Sequence, residues 1–503
     1  MLDLAFFVGV LAFLFCLTDW RYGLLVTVAV GFLADPIRKI MPDQPVAMTI
    51  VVGLFLAACL LTMLRERGVT TLRMMGGTYR DLTIPLQFFL LWVLISAART
   101  VLQFGNPVLA GIGTVAYLAP LPGLILGFAS GGSRVWLRRF LVVYVVGCSL
   151  MTAGILLQVF GVDALVLREV GVGLYISRIG RAYSGFFRTT EVAAWHIGTT
   201  IALLIIVATS RWRSTSGWLA SVPIALLLAA GILTGRRKML AQLFFFICLY
   251  ALMLLHFRKG AKRLVAVGLP VALLVALAST EFFAGQELQR FQTFFDRGSA
   301  VVVEAPQRFR NLGLGSVIWS FQRHGFLGSG AGIASQRAQY FGGGVEIAGY
   351  SAEGGLGKII SELGVPGLLL GLWLALGSLR AVWRNLIGDI ERTHRPSVSL
   401  GLLALLGAQI PTFMVAAQIY GDPFVLIVLG LLLGFVLAFP EPGAESDPGE
   451  DLRSPPLPAT AEKTGRMPNQ FRPRRPRRDP RRSARTESQS RLQIFDSPTP
   501  IDE

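Results

Sequence analysis

The side chains best suited to chemistry in this chain are arginines, and they fall in three groups. The stretch Ser177-Arg-Ile-Gly-Arg-Ala-Tyr-Ser-Gly-Phe-Phe-Arg-Thr-Thr-Glu191 sets Arg178, Arg181 and Arg188 immediately ahead of a long apolar run. Thr234-Gly-Arg-Arg-Lys238 adds Arg236 and Arg237 directly after another apolar run. Arg308 and Arg310 belong to a third group, with Arg290, Arg297, Arg323, His324 and Arg337. A guanidinium is planar, keeps its charge and matches phosphate oxygens two at a time. Several of them converging at a membrane surface would suit a lipid-linked diphosphate. The plainer alternatives are snorkelling toward headgroups for the first group and a cytoplasmic stop signal for Arg236 and Arg237. Thr189 or Thr190 fits the N-cap of the helix that follows, with Glu191 in its first turn.

Two carboxylates stand at or within the entrance of a later apolar run. Glu353 could serve as general base for an acceptor hydroxyl, whereas Glu362, a turn or two deeper, better suits tying helices together. His196, about one and a half turns inside its run, is an intramembrane ionisable group, although a lone histidine is more often hydrogen-bonded structure. The glycines of Phe326-Leu-Gly-Ser-Gly-Ala-Gly332 follow no strand and lead into no Gly-Lys-Ser/Thr, so a nucleotide site is not indicated. They suit tight turns and a re-entrant loop packed closely on the bundle. Cys16, Cys59, Cys148 and Cys248 lack metal-ligand spacing and read as small buried apolar residues. No Asp-x-Asp cage occurs in the loops assigned outside, so a metal-independent transfer with no cofactor is the expectation.

The elements that must position these groups are membrane helices. Hydrophobic residues make up 53% of the 503 and charged residues only 15%, against about a quarter charged in a soluble domain. Apolar runs read as membrane spans, the first two of them short, fall at 2–18, 22–35, 46–64, 83–99, 107–129, 139–161, 190–210, 217–234, 239–256, 264–283, 356–379, 397–418 and 422–440. This predicts an all-α, polytopic bundle of about 12–13 spans. The first run lacks the basic leader and cleavage site of a signal peptide. Cations at 65–80, 134–139, 211–213, 258–263 and 380–395 agree with one another as cytoplasmic loops. The alternate loops, 36–45, 100–106, 162–189, 235–238, 284–355 and 419–421, are then outside, with 284–355 the large periplasmic one. All three arginine groups violate the charge rule there, and Arg38-Lys39 does so mildly. Residues 441–503 hold twelve Lys/Arg against eleven Asp/Glu, which leaves +16 of the net +17 on the first 440 residues. That Pro/Arg-rich stretch predicts a disordered cytoplasmic tail attracted to anionic lipid, with docking of export partners as the alternative.

In order and spacing these features resemble the O-antigen ligase and O-antigen polymerase superfamily, polytopic transferases that use glycans carried on undecaprenyl diphosphate. The resemblance spans roughly residues 20–440. Arg181-Ala-Tyr-Ser-Gly185-Phe-Phe is similar to its Arg-x-x-Gly-x-Phe element, and Leu233-Thr-Gly-Arg-Arg237 to a Leu-Thr-Gly-Ser-Arg helix end. Gly328-Ser-Gly-Ala-Gly332 resembles its Gly-x-Gly-x-Gly element, and Glu362-Leu-Gly-Val-Pro-Gly367 its closing motif. Glu353 stands where the family commonly has a loop histidine, and Thr190-Glu191 where a Pro-Asn pair is common. The resemblance implies a bacterial inner-membrane glycosyltransferase acting at the periplasmic face on a lipid-linked donor and a glycan or lipid-glycan acceptor, not on nucleic acid. Glu353, Arg181 and Arg236 would be catalytic, and Arg178, Arg188, Arg237, Arg308 and Arg310 would hold the diphosphate, with the long loop as a lid. The missing histidine favours a polysaccharide polymerase over a ligase. A transporter or flippase of the same glycan, or a scaffold acting through the tail, are the readings from other classes.

Overall fold

The computed structural model describes residues 2–41, 47–131, 133–168, 182–210, 220–257, 307, 309–335, 338, 354–393 and 397–438. Contacts divide the chain into Met1–Glu445 and Ser446–Glu503. The expected span at 264–283 and the expected disordered tail at 441–503 lie outside the described residues.

Among the described residues there is no strand. The α-helices are α1 (Leu2–Cys16), α2 (Trp20–Ile40), α3 (Ala47–Arg67), α4 (Thr70–Thr78), α5 (Arg80–Phe104), α6 (Pro107–Leu118), α7 (Pro120–Ser130) and α8 (Arg134–Val159). They continue with α9 (Thr190–Ser210), α10 (Ser221–Leu233), α11 (Arg237–Phe257), α12 (Ser316–His324), α13 (Gly355–Thr393), α14 (Ser397–Val415) and α15 (Pro423–Leu437). Among the described residues, eight spans, counting α6 and α7 as one, are long and apolar enough to cross a membrane. In hydrocarbon a helix satisfies its own backbone, so these runs fold this way. Their outward faces carry bare Leu61, Leu102, Leu150, Leu252 and Ile410, as hydrocarbon-facing surfaces do. The protein is a polytopic membrane bundle.

α9 is the central helix. Its span is 83% buried, while most others bury about a third, and it packs against α8, α10, α11 and α14. α7 and α15 approach most closely, through Gly123 and Gly127 on one and Gly430 and Gly434 on the other. In all four a methyl would strike the partner's backbone, the small-residue spacing that lets membrane helices touch.

The bundle has two distinct ends. At one, Tyr79 donates to the Leu437 carbonyl (2.6 Å), Arg67 to the Ala129 carbonyl (2.8 Å), and Arg384 pairs with Asp81 (2.7 Å). Described parts of the loops 65–80, 134–139 and 380–395 therefore gather there. At the other, Arg188 meets Asp422 and Asp35, and Arg236 meets Thr190. Described parts of 36–45, 162–189, 235–238 and 419–421 gather at that end, and the loops judged alternate in sequence stand at opposite ends in space.

Three expectations need correction. The run 107–129 is two helices, because Pro120 lacks the N–H to continue α6 and instead begins α7. α2 does not stop at 35 but runs through Pro36 to Ile40, since Arg38 and Lys39 find partners and need not be in a loop. Cys16, Cys59 and Cys148 are buried as expected, but Cys248 is exposed on the outer face of α11.

Candidate functional site

The site is built around the N-terminus of α9. Thr189 caps this helix, accepting the Val192 N–H at 3.4 Å, and Thr190 and Glu191 form its first turn. Arg236, in the tight turn after α10, donates Nε–H to Thr190 Oγ1 (2.7 Å) and stands 3.4 Å from Glu191, which Lys238 also approaches at 3.8 Å. Gly235 makes that turn possible: its φ of +67° lies in the left-handed region. One side of the cluster is thus a carboxylate shared between two cations.

Arg188 closes the other side. Its guanidinium donates to Asp422 Oδ2 at 2.9 Å, and its backbone N–H donates to Asp35 Oδ2 at 3.0 Å. Asp422 also caps α15 through the N–H groups of Phe424 (2.8 Å) and Val425 (3.3 Å). Arg38 lies 3.9 Å from Asp35 and donates to Thr49. Lys39 reaches across to Ser184 Oγ (3.1 Å) and the Gly185 carbonyl (2.7 Å), fixing the segment that carries Arg188. Five cations and three carboxylates, drawn from α2, the 182–189 segment, α9, the 234–238 turn and α15, therefore meet at one end of the bundle. Asp35, Arg38, Lys39 and Asp422 are each less than a tenth exposed. Charges so buried are held by partners, because stripping water from an unpaired one costs several kcal/mol.

Arg188 and Arg236 are thus brought together on one helix terminus, as the sequence spacing anticipates, but each already has a protein oxygen as partner. Arg310 is exposed, on a π-helical turn (Phe309–Gly315) packed between the start of α13 and the end of α14. Arg178, Arg181, Arg308 and Glu353 lie outside the described residues, and the side chain of Arg237 does too. Asp35, Lys39 and Asp422 were not expected in the site. Asp422-Pro423 ahead of an apolar run is a helix-start signature, and Arg38-Lys39 showed itself only as a breach of the charge rule. The chain matches no protein-family model and no curated protein.

His196 is structural. Its Nδ1 pairs with the Tyr144 hydroxyl at 2.8 Å, and Phe32, Phe187, Trp195 and Phe424 surround the ring. The glycine run of the long loop packs on α5, α6 and α13. Ser329, Gly330 and Ala331 donate their N–H groups to the carbonyls of Ser361, Glu362 and Ser96. Arg99 clamps the Leu327 and Gly328 carbonyls at 2.7 and 3.0 Å. Gly328, Gly330 and Gly332 all have positive φ, so the glycine run does serve close packing of a re-entrant turn. Glu362 is fully buried and accepts from the Tyr117 hydroxyl at 2.6 Å, tying α13 to α6 as its depth implied. His324 pairs with Ser329 (2.8 Å), and burial, then the charge of Arg323, holds its basicity below the ordinary value of 6.5.

Proposed function

We propose that the chain is a membrane glycosyltransferase that extends or transfers a glycan carried on undecaprenyl diphosphate, at the periplasmic face of a bacterial inner membrane, in cell-surface polysaccharide synthesis. In the reaction an acceptor hydroxyl attacks the anomeric carbon of the donor, the bond from that carbon to the diphosphate breaks, and the hydroxyl proton passes to a base. Charge accumulates on the departing diphosphate, and fixed cations there lower the barrier. Arg188 and Arg236, with Lys39 and Lys238 behind them, supply that field. Arg178, Arg181, Arg237, Arg308 and Arg310 are the further cations assigned to it, and Glu353 is assigned as base.

The observation that carries this reading is the gathering of Arg236 and Lys238 on the first turn of α9, with Arg188 just ahead of its cap and paired to Asp422, at the end opposite the cation-bearing loops assigned to the cytoplasm. A helix N-terminus adds its own positive partial charge there. The test is elongation of a purified lipid-linked oligosaccharide by protein in liposomes. Losing one charge-assisted contact worth about 1.5–3 kcal/mol in the transition state slows the reaction roughly 10- to 100-fold. Arg236→Ala and Arg188→Ala should both show this, and normal elongation in these and in the Arg181 and Glu353 variants would end the proposal.

A transporter of the same glycan has one observation in its favour. α13 is broken at Gly364 (φ +70°) beside the buried Glu362, the kind of interrupted helix that builds transport sites. Vesicles that translocate the lipid-linked glycan without lengthening it would favour this second reading.

A further inference from the structure

The end of the bundle opposite Arg188 carries an aromatic shelf studded with arginines. Trp20 and Tyr22 begin α2, and Trp136 begins α8, all within a turn of their helix starts. Tyr22 and Trp136 meet edge to face at 4.9 Å, and Phe15 extends the shelf. Three arginines, from α2, α3 and α8, lie over its rings. Arg21 lies over Trp20 at 5.5 Å and over Trp136 at 5.8 Å from the ring centroids. Arg139 lies over Trp136 at 4.6 Å and Tyr22 at 5.4 Å, and Arg67 covers Trp20 at 5.2 Å.

These arginines are not equivalent. Arg67 and Arg65 are spent on main-chain carbonyls, of Ala129 (2.8 Å) and Leu17 (3.5 Å), and so brace the helix ends. Arg139 uses one N–H on the Tyr22 hydroxyl (3.1 Å). Among the described residues no carboxylate stands within ion-pair distance of Arg21 or Arg139. Nearby Asp19 turns its carboxylate to the N–H groups of Arg21 and Tyr22, capping α2. A guanidinium lying on an aromatic face keeps its edge, which carries the N–H donors, turned away from the ring. Arg21 and Arg139 therefore both lie over Trp136, with one N–H of Arg139 on Tyr22 and neither fork held by a described carboxylate, among the tryptophan and tyrosine rings that favour a membrane interface.

We propose that Arg21 and Arg139, braced on Trp20, Tyr22 and Trp136, form a binding site for the phosphodiester of an anionic phospholipid. The two planar forks match phosphate oxygens. The exposed rings of Phe15 and Tyr22 lie where the glycerol backbone and upper acyl chain would rest. The site is independent of the transferase reading and sits at the other end of the bundle.

The test uses the full chain, purified in neutral detergent, stripped of lipid and titrated with phosphatidylglycerol, phosphatidylcholine or glycerol 3-phosphate. Bound adducts are counted by native mass spectrometry. Phosphatidylglycerol should bind selectively, and each of Arg21→Gln and Arg139→Gln should weaken it about fivefold, with about 25-fold for the pair. Arg138→Gln, an exposed neighbour that covers no ring, should leave it unchanged. Equal retention of phosphatidylcholine, or no loss in the double variant, overturns the site. Binding of glycerol 3-phosphate as tight as the lipid's would overturn the lipid assignment and make it a site for soluble phosphate. Arg139→Lys should not restore binding, and full restoration would refute the role of the stacked fork.

Discussion

Removing Asp422 should cost two separable things. Its Oδ1 caps α15 through two backbone N–H groups, and its Oδ2 receives the Arg188 guanidinium at 2.9 Å. A cap of this kind is worth about 1 kcal/mol, and a hydrogen bond to a charged group about 1.5–3 kcal/mol. The upper part of that range applies, since only 7% of the Asp422 side chain and 21% of the Arg188 side chain are exposed. Asparagine caps as well as aspartate but carries no charge. Asp422→Asn should therefore lose the pair alone, about 2–3 kcal/mol, while Asp422→Ala should lose about 1 kcal/mol more. In an Arg188→Ala background, where that pair is already gone, Asp422→Ala should cost clearly less than it does in the wild type. Reversible denaturant unfolding in mixed micelles measures all four proteins. Equal losses for the Asn and Ala variants, or losses that simply add with Arg188→Ala, would refute the separation.

Two further outcomes follow from the re-entrant turn. Gly332→Ala, with φ at +94° and a methyl driven into the Leu109 carbonyl, should destabilise by about 2 kcal/mol or more, whereas Gly111→Ala, on a helix face open to its surroundings, should be neutral or gain up to about 1 kcal/mol; comparable unfolding curves for the two would contradict the close packing. His324 binds a proton less readily when folded than when unfolded, so its contribution to stability is full above about pH 6.5 and falls as the pH drops below that value. Melting temperatures of the wild type and His324→Asn should therefore diverge between pH 7.5 and 5.5, with the wild type losing more, and the opposite sign would refute the buried, Arg323-opposed setting.

The helices were legible because apolar runs and flanking cations are local signals. Loop cations at Arg67, Arg139 and Arg384 sorted the chain into two faces correctly, each judged only against its near neighbours. The helix start at Thr189, the depth of Glu362 and the glycine turn were equally local. What could not be read was pairing across long separations. Asp35 and Asp422 reach Arg188 from 153 and 234 residues away, and Lys39 reaches Ser184 from 145. No pattern in the sequence names such partners, so Arg188 looked like a free cation and Arg38-Lys39 like an anomaly. The break at Ala119 was available in Pro120-Leu-Pro122, but an unbroken apolar composition concealed it.

The break in α13 divides the long helix into two arms. Its pivot at Gly364 is pinned from outside, because the Val365 N–H donates to the Phe326 carbonyl of the re-entrant turn at 2.8 Å. The arm beyond it runs past Arg384, which holds Asp81 at the opposite end of the bundle. At 1.5 Å of rise per residue that arm is roughly 29 Å long as far as Arg384, so a 5° tilt at the pivot carries Arg384 through about 2.5 Å, enough to break a salt bridge. A shift of the glycine turn would thus act on the arm at its pinned end, with the Arg384–Asp81 pair at the other.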